Sequence, residues 1–161
     1  TDAEYFRRIE AVEFTVKVDD GKEPRMLEKA DIVLVGVSRT SKTPLATLLA
    51  QRGLKVASVT ISSGSALPVE LADAEQDRVV GLTIDADSLS ALRLEQLKKL
   101  GMPEDVRVRG HVEQEIRHAE ALFAEHPTWP VVDMSGRSVE ETAGIILELM
   151  SDRALQLGRP R

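Results

Sequence analysis

The stretch that most constrains the fold runs from Ala30 to Ala50, ADIVLVGVSRTSKTPLATLLA. Asp31–Val35 carries Val, Ile and Leu almost without a break and without polar alternation, which is the mark of a strand covered on both faces. A strand of that kind belongs in a mostly parallel sheet sandwiched by helices. Gly36 ends the apolar run, a polar octapeptide closes on Lys42-Thr43, and the segment from Thr43 onward reads as a helix. Pro44 fits the first turn, where a backbone amide has no intrahelical partner to lose.

The rest of the chain repeats the strand-then-helix rhythm. Strands are expected at Asp31–Val35, Lys55–Thr60, Arg78–Ile84 and Pro130–Asp133, and helices at Thr43–Gln51, Ser88–Leu100, Val112–Glu125 and Val139–Met150. Ser138-Val-Glu-Glu141 has the spacing of a capping box at the start of the last helix. The segment Tyr5–Val18 fits two periods: Tyr5, Ile9, Val12 and Val16 at helical spacing, or Val12, Phe14, Val16 and Val18 alternating as in a strand. The helix is preferred, ending before Asp19-Asp20-Gly21, where the glycine can supply a positive φ. Ser62–Gln76 reads as a loop with at most a short helical turn. The fold class expected is α/β, a mostly parallel sheet with helices on both faces, like that of P-loop nucleotide-binding proteins. One domain is expected over residues 1–150, with 151–161 as a polar C-terminal tail.

The chain has 161 residues, enough for one domain with its own core. Its formal net charge of -6 argues against a broad nucleic-acid surface, which needs clustered Lys and Arg, so any polyanion must occupy a local site. No apolar run reaches the roughly 20 residues needed to span a bilayer. With no cysteine there is neither a disulfide nor a thiolate metal site, in keeping with a cytoplasmic setting. No secretory leader is visible at Thr1-Asp2-Ala3-Glu4.

A phosphate-binding loop requires a buried strand that stops, a glycine that lets the backbone bend sharply, and amides converging on an anion at the next helix N-terminus. Ile32–Val35, Gly36 and Thr43 onward meet these requirements. The cradle would consist of Gly36, Val37, Ser38, Arg39, Thr40, Ser41, Lys42 and Thr43. In the pattern G-x-x-x-x-G-K-[ST], Lys42 is the point charge on the phosphates and the Thr43 hydroxyl reaches a Mg2+ ion. Ser41 replaces the second glycine, which costs on the order of 1–2 kcal/mol if the position demands a positive φ. The competing reading is a polar turn whose Lys and Thr are solvated. Arg39 is either a charge clamp over a phosphate or an ordinary surface arginine.

A metal-organising carboxylate is expected after an apolar strand. Asp85 and Asp133 both qualify, Asp85 fitting better as the cap of the following helix and Asp133 staying open. In Asp19-Asp20-Gly21, one carboxylate beside another can serve as a base toward a hydroxyl, although an acidic surface turn has the same composition. His111, His118 and His126 show no metal-ligand spacing, and no Ser-His-Asp arrangement is visible.

Several ordered blocks resemble the pyruvate, phosphate dikinase regulatory protein family, which includes the phosphoenolpyruvate synthase regulatory proteins. They are Tyr5-Phe-Arg-Arg-Ile-Glu-Ala11, Asp19-Asp20-Gly21, Ala30 through Leu45, Gly81-Leu-Thr-Ile84 and Pro130 through Ala143. The resemblance implies a bifunctional enzyme that phosphorylates a threonine of the dikinase with ADP and removes that phosphate with inorganic phosphate, giving pyrophosphate. It also implies Lys42 and Arg39 as catalytic residues and Asp20 as the proton-transfer residue in both directions. Arg-Thr-Ser-Lys-Thr is closer to the dikinase regulators than to the synthase regulators, which favour Cys-Gly-Lys-Thr. Family members are longer, with a region preceding the Tyr5 block, so this chain is expected to be the C-terminal nucleotide-binding portion. Val18 stands where a histidine is frequent and Gln96 where a second arginine is frequent, and no Tyr-Ala-Asp occurs near residue 107. The expected partner is the dikinase or the synthase, with no nucleic acid and no membrane; a homodimer stays open.

Overall fold

A computed structural model describes residues 2–19, 23–37, 40, 42–62, 66–103 and 107–156, with side chains to residue 152. The chain begins with helix α1, Asp2–Lys17, the helical alternative for this segment. Strand β1 (Ile32–Val37) leads into helix α2 (Lys42–Ala50) and strand β2 (Val56–Ile61). Strand β3 (Val79–Thr83), helix α3 (Ala86–Lys99), helix α4 (Val108–Ala124), strand β4 (Val131–Asp133) and helix α5 (Val139–Gln156) complete the order. Short 3-10 turns occupy Pro24–Lys29, Val69–Asp73 and Gln76–Arg78.

The four strands form one parallel sheet in the order β2-β1-β3-β4. β1 is central, Leu34 lying beside Ser58 on one side and Val80 on the other. Every residue of β1 is buried, in keeping with its unbroken apolar sequence. Two cores cover the two faces. Ile32, Leu34, Val56, Val80 and Leu82 pack with Leu45 and Leu49 of α2 and Ile146 of α5. Val33, Val35, Val37, Ala57 and Val79 pack with Leu89 of α3 and Val112, Ala119 and Phe123 of α4.

This division follows from the strand order. The β1-to-β2 and β3-to-β4 connections run in opposite directions across the sheet, so right-handed crossovers put their helices on opposite faces. The strand order therefore reverses between β1 and β3, and the C-terminal ends of strands at such a reversal are where parallel sheets bind ligands. β1 ends there, at Gly36 and Val37.

Three differences from the sequence reading have local causes. β1 extends two residues past Val35, because Gly36 and Val37 stay paired with Thr60 and Ile61. Gly36 thus does not bend the chain. What it supplies is room, since a Cβ there would stand 3.2 Å from the Cβ and carbonyl of Leu82 and from Thr40 Oγ1. α4 starts at Val108 rather than Val112, its first turn tied down by Arg109, which pairs with Asp87 of α3 and with Glu113. α5 continues to Gln156, six residues into the stretch read as tail.

Candidate phosphate site

The geometry at the end of β1 is built on one carbonyl. Thr40 Oγ1 and Lys42 Nζ each donate to the Val37 oxygen at 2.8 Å. Thr40 and Lys42 are thereby held against the strand end, and Lys42 opens α2 from a buried position, 6% exposed. Two positive features meet here, the ammonium and the N-terminal end of the α2 dipole. The first turn of α2 holds no acidic residue of its own. A helix N-terminus beside an ammonium is a favourable place for an anion.

The hydroxyl of Thr43 does not point idly into solvent. It donates to the Asp19 carboxylate, at 3.0 Å to Oδ2 and 3.2 Å to Oδ1, and Ser58 Oγ donates to Asp19 Oδ1 at 2.9 Å. Asp19 is placed there by α1. Ala11, Thr15 and Val18 bury one side of that helix and its final turn, and Thr15 Oγ1 accepts from the Val56 amide at 3.1 Å. Lys55 adds an ion pair to Glu10 at 2.9 Å. The helix end is thereby pinned to the start of β2, and the residue after Val18 reaches the start of α2.

The two strand-end aspartates considered as metal ligands have other partners. Asp85 caps α3: Oδ1 accepts from the Ser88 amide at 2.7 Å and Oδ2 from the Ser88 hydroxyl at 2.9 Å. The Ser88 amide, then the hydroxyls of Ser135 and Ser88, hold its carboxyl below the usual aspartate value. Asp133 Oδ1 accepts from the Ser135 amide at 2.9 Å, while its carbonyl takes a hydrogen bond from Arg137 at 2.8 Å. Asp133 ends β4, with β3 between it and β1, so two strand spacings of about 10 Å separate it from the end of β1. His126 stacks on Trp129 with ring centroids 3.9 Å apart.

Of the expected cradle, Gly36, Val37, Thr40, Lys42 and Thr43 come together at one corner of the sheet. Ser38, Arg39, Ser41 and the proposed base Asp20 lie outside the described residues, as does the question of φ at Ser41. Asp19 and Ser58 were not expected there. A signal for Ser58 existed in a hydroxyl placed mid-run in Val56–Ile61, since a buried hydroxyl needs a partner. Among the described residues, no group of three or more His, Asp or Glu side chains could hold a metal ion by itself. The oxygen set of Thr43 and Asp19 nonetheless suits Mg2+, which is commonly held by one or two carboxylates together with substrate phosphates. No helix among the described residues is long and apolar enough to cross a membrane.

Known proteins resemble the chain along most of its length. The model of the kinase/pyrophosphorylase family matches residues 1–147. A Sorangium cellulosum relative is 62% identical over 152 residues, covering 93% of this chain and 54% of its own; it is named, provisionally, a pyruvate, phosphate dikinase regulatory protein. Pyruvate, phosphate dikinase regulatory protein 1 of Arabidopsis thaliana, a chloroplastic protein, is 46% identical over 162 residues, covering 98% of this chain and 40% of its own. The chloroplastic Zea mays protein of the same name, without a number, is 46% identical over 161 residues, covering 98% and 38%. The chain thus spans about half, or less, of the length of the curated relatives it matches.

Proposed function

The chain belongs to the kinase/pyrophosphorylase family, and from that premise we propose that it carries the phosphate-binding corner of a bifunctional regulator of pyruvate, phosphate dikinase. The relatives' names support that partner, and the loop sequence Arg39-Thr-Ser-Lys-Thr43 favours it over phosphoenolpyruvate synthase. The observation that carries the reading is the buried Lys42 ammonium at the N-terminus of α2, folded with Thr40 onto the Val37 carbonyl.

In the forward direction the threonine oxygen of the dikinase bonds to the β-phosphorus of ADP. The bond from that phosphorus to the bridging oxygen breaks, AMP leaves, and the hydroxyl proton passes to Asp20. In the reverse direction an oxygen of inorganic phosphate attacks the phosphorus of phosphothreonine, the bond from that phosphorus to the threonine oxygen breaks, pyrophosphate forms, and Asp20 returns the proton to the threonine oxygen. Loose phosphoryl transfer leaves little covalent work to the protein, so positioning and charge neutralisation dominate. Lys42, Arg39 and the amides from Gly36 through Thr43 supply both to the transferring group in either direction. Thr43 would hold a Mg2+ ion, whose charge screens the phosphate oxygens when bound.

Incubating the chain with dikinase and ADP, and reading phosphothreonine and AMP by mass spectrometry, tests the proposal. ATP in place of ADP should give nothing, which separates this reading from a small-molecule kinase using the same loop. The chain's partial coverage of its relatives favours one alternative, a nucleotide-binding portion without turnover of its own. Calorimetry showing ADP binding alongside an unmodified dikinase would select it.

A further inference from the structure

We infer that Asp19, the first carboxylate of Asp19-Asp20-Gly21, is the residue that completes a divalent-cation site with Thr43 at the phosphate corner. The inference rests on the phosphate reading of the Gly36–Thr43 loop and gives a cation role to a residue that the sequence offered only as one of a carboxylate pair.

Three observations lead there. Both Asp19 oxygens lie within 3.2 Å of the Thr43 hydroxyl, which belongs to the lysine–threonine pair at the start of α2. The carboxylate is also held by Ser58, whose buried hydroxyl donates to Oδ1 at 2.9 Å. A ligand carboxylate held by a hydroxyl behind it is the usual way a protein fixes the direction of an oxygen donor toward a cation. Finally, the rival carboxylates are engaged elsewhere. Asp85 accepts from the Ser88 amide and hydroxyl, and Asp133 from the Ser135 amide.

The chemistry is that of a nucleoside diphosphate carrying its cation. With one carboxylate and one hydroxyl as protein ligands, the remaining positions of a small hard cation fall to phosphate oxygens and water. The ion would then bind well only together with the nucleotide. The same arrangement divides the labour within Asp19-Asp20-Gly21. Asp19 serves the cation and leaves Asp20 for the proton.

Calorimetry with ADP tests this, once in EDTA and once with Mn2+ as the probe cation. For the wild-type chain, Mn2+ should tighten ADP binding, and nucleotide-dependent broadening of the Mn2+ paramagnetic resonance should report the ternary complex. Asp19→Asn keeps the hydrogen-bonding shape and removes the charge. It should bind ADP in EDTA no more weakly than the wild type and lose the Mn2+ gain by about tenfold or more. Asp133→Asn should keep that gain in full. An Asp19→Asn chain with an undiminished Mn2+ gain, or loss of the gain in Asp133→Asn, overturns the inference while leaving the phosphate site standing. Wild-type chain that binds no ADP under either condition overturns the phosphate reading itself, and the inference with it. Should Asp19→Asn not fold by circular dichroism, Fe2+-directed backbone cleavage of the wild-type chain with ADP decides. Cuts beside residues 19 and 43 support the inference, and cuts beside residue 133 overturn it.

Discussion

Two corners at the C-terminal edge of the sheet use similar residues to opposite ends. Where β3 and β4 finish, Asp85 caps α3, Ser138 and Glu141 cap α5 reciprocally, and Asp133 closes the turn to Ser135. Acidic groups stand at both helix starts, matching the positive end of each dipole. Where β1 and β2 finish, α2 starts on Lys42-Thr43-Pro44, with no acid in its first turn. The nearby carboxylate, Asp19, takes hydrogen bonds from two side-chain hydroxyls. The first corner satisfies itself and holds the fold together. The second opens its helix on a buried lysine and engages its carboxylate with side-chain hydroxyls, the arrangement on which the proposed phosphate site draws.

That contrast predicts which property each substitution changes. The largest effect is expected for Lys42→Ala. It should reduce both reaction directions by about 100-fold or more, as loss of a donor to transferring charge does. Its melting temperature should fall only modestly, by the loss of the hydrogen bond to the Val37 carbonyl. A melting temperature that collapses along with activity would make Lys42 structural and erase the difference between the corners.

Between the two corners runs β3. A Cβ at Gly81 would come within 2.9 Å of the Phe123 ring, so Gly81→Ala should destabilise by about 1–3 kcal/mol in chemical denaturation through overpacking. Smaller still is Ser138→Ala, which removes the acceptor of the Glu141 amide and should cost about 1 kcal/mol while ADP affinity measured by calorimetry stays put. The smallest effect concerns Asp85. Its folded carboxyl is held below the usual value, chiefly by the Ser88 amide, so the stability it contributes is present above the unfolded aspartate value. That contribution fades as pH falls through the lowered folded value. Melting temperatures of wild type and Asp85→Asn should therefore converge as the solution is acidified, and a gap that widens instead would contradict the capping role.

Much of the scaffold was legible because burial on two faces leaves a plain signature. Asp31–Val35 read as an inner strand and Arg78–Ile84 as a strand from composition, and Ser138-Val-Glu-Glu141 announced its own cap. Strand and helix ends were less legible. Gly36 reads as a breaker, yet lateral pairing with Thr60 keeps it in β1; the polar start of α4 is fixed by Arg109 reaching Asp87 on another helix. At the site, local order placed Gly36, Lys42 and Thr43 together, since they share one loop. Asp19 was hidden because its partners stand 24 and 39 positions along the chain, a closure that only the packing of α1 on β2 brings about.

That closure gives α1 a standing its distance from the loop would not suggest. Residue 19 is strung between the start of α2 and the middle of β2, and its position is set by a helix that begins at residue 2. Tyr5 and Phe6 face outward from that same helix, so its exposed side and the residue that meets Thr43 belong to one stretch of chain. The first helix is thus a wall of the corner proposed to hold phosphate.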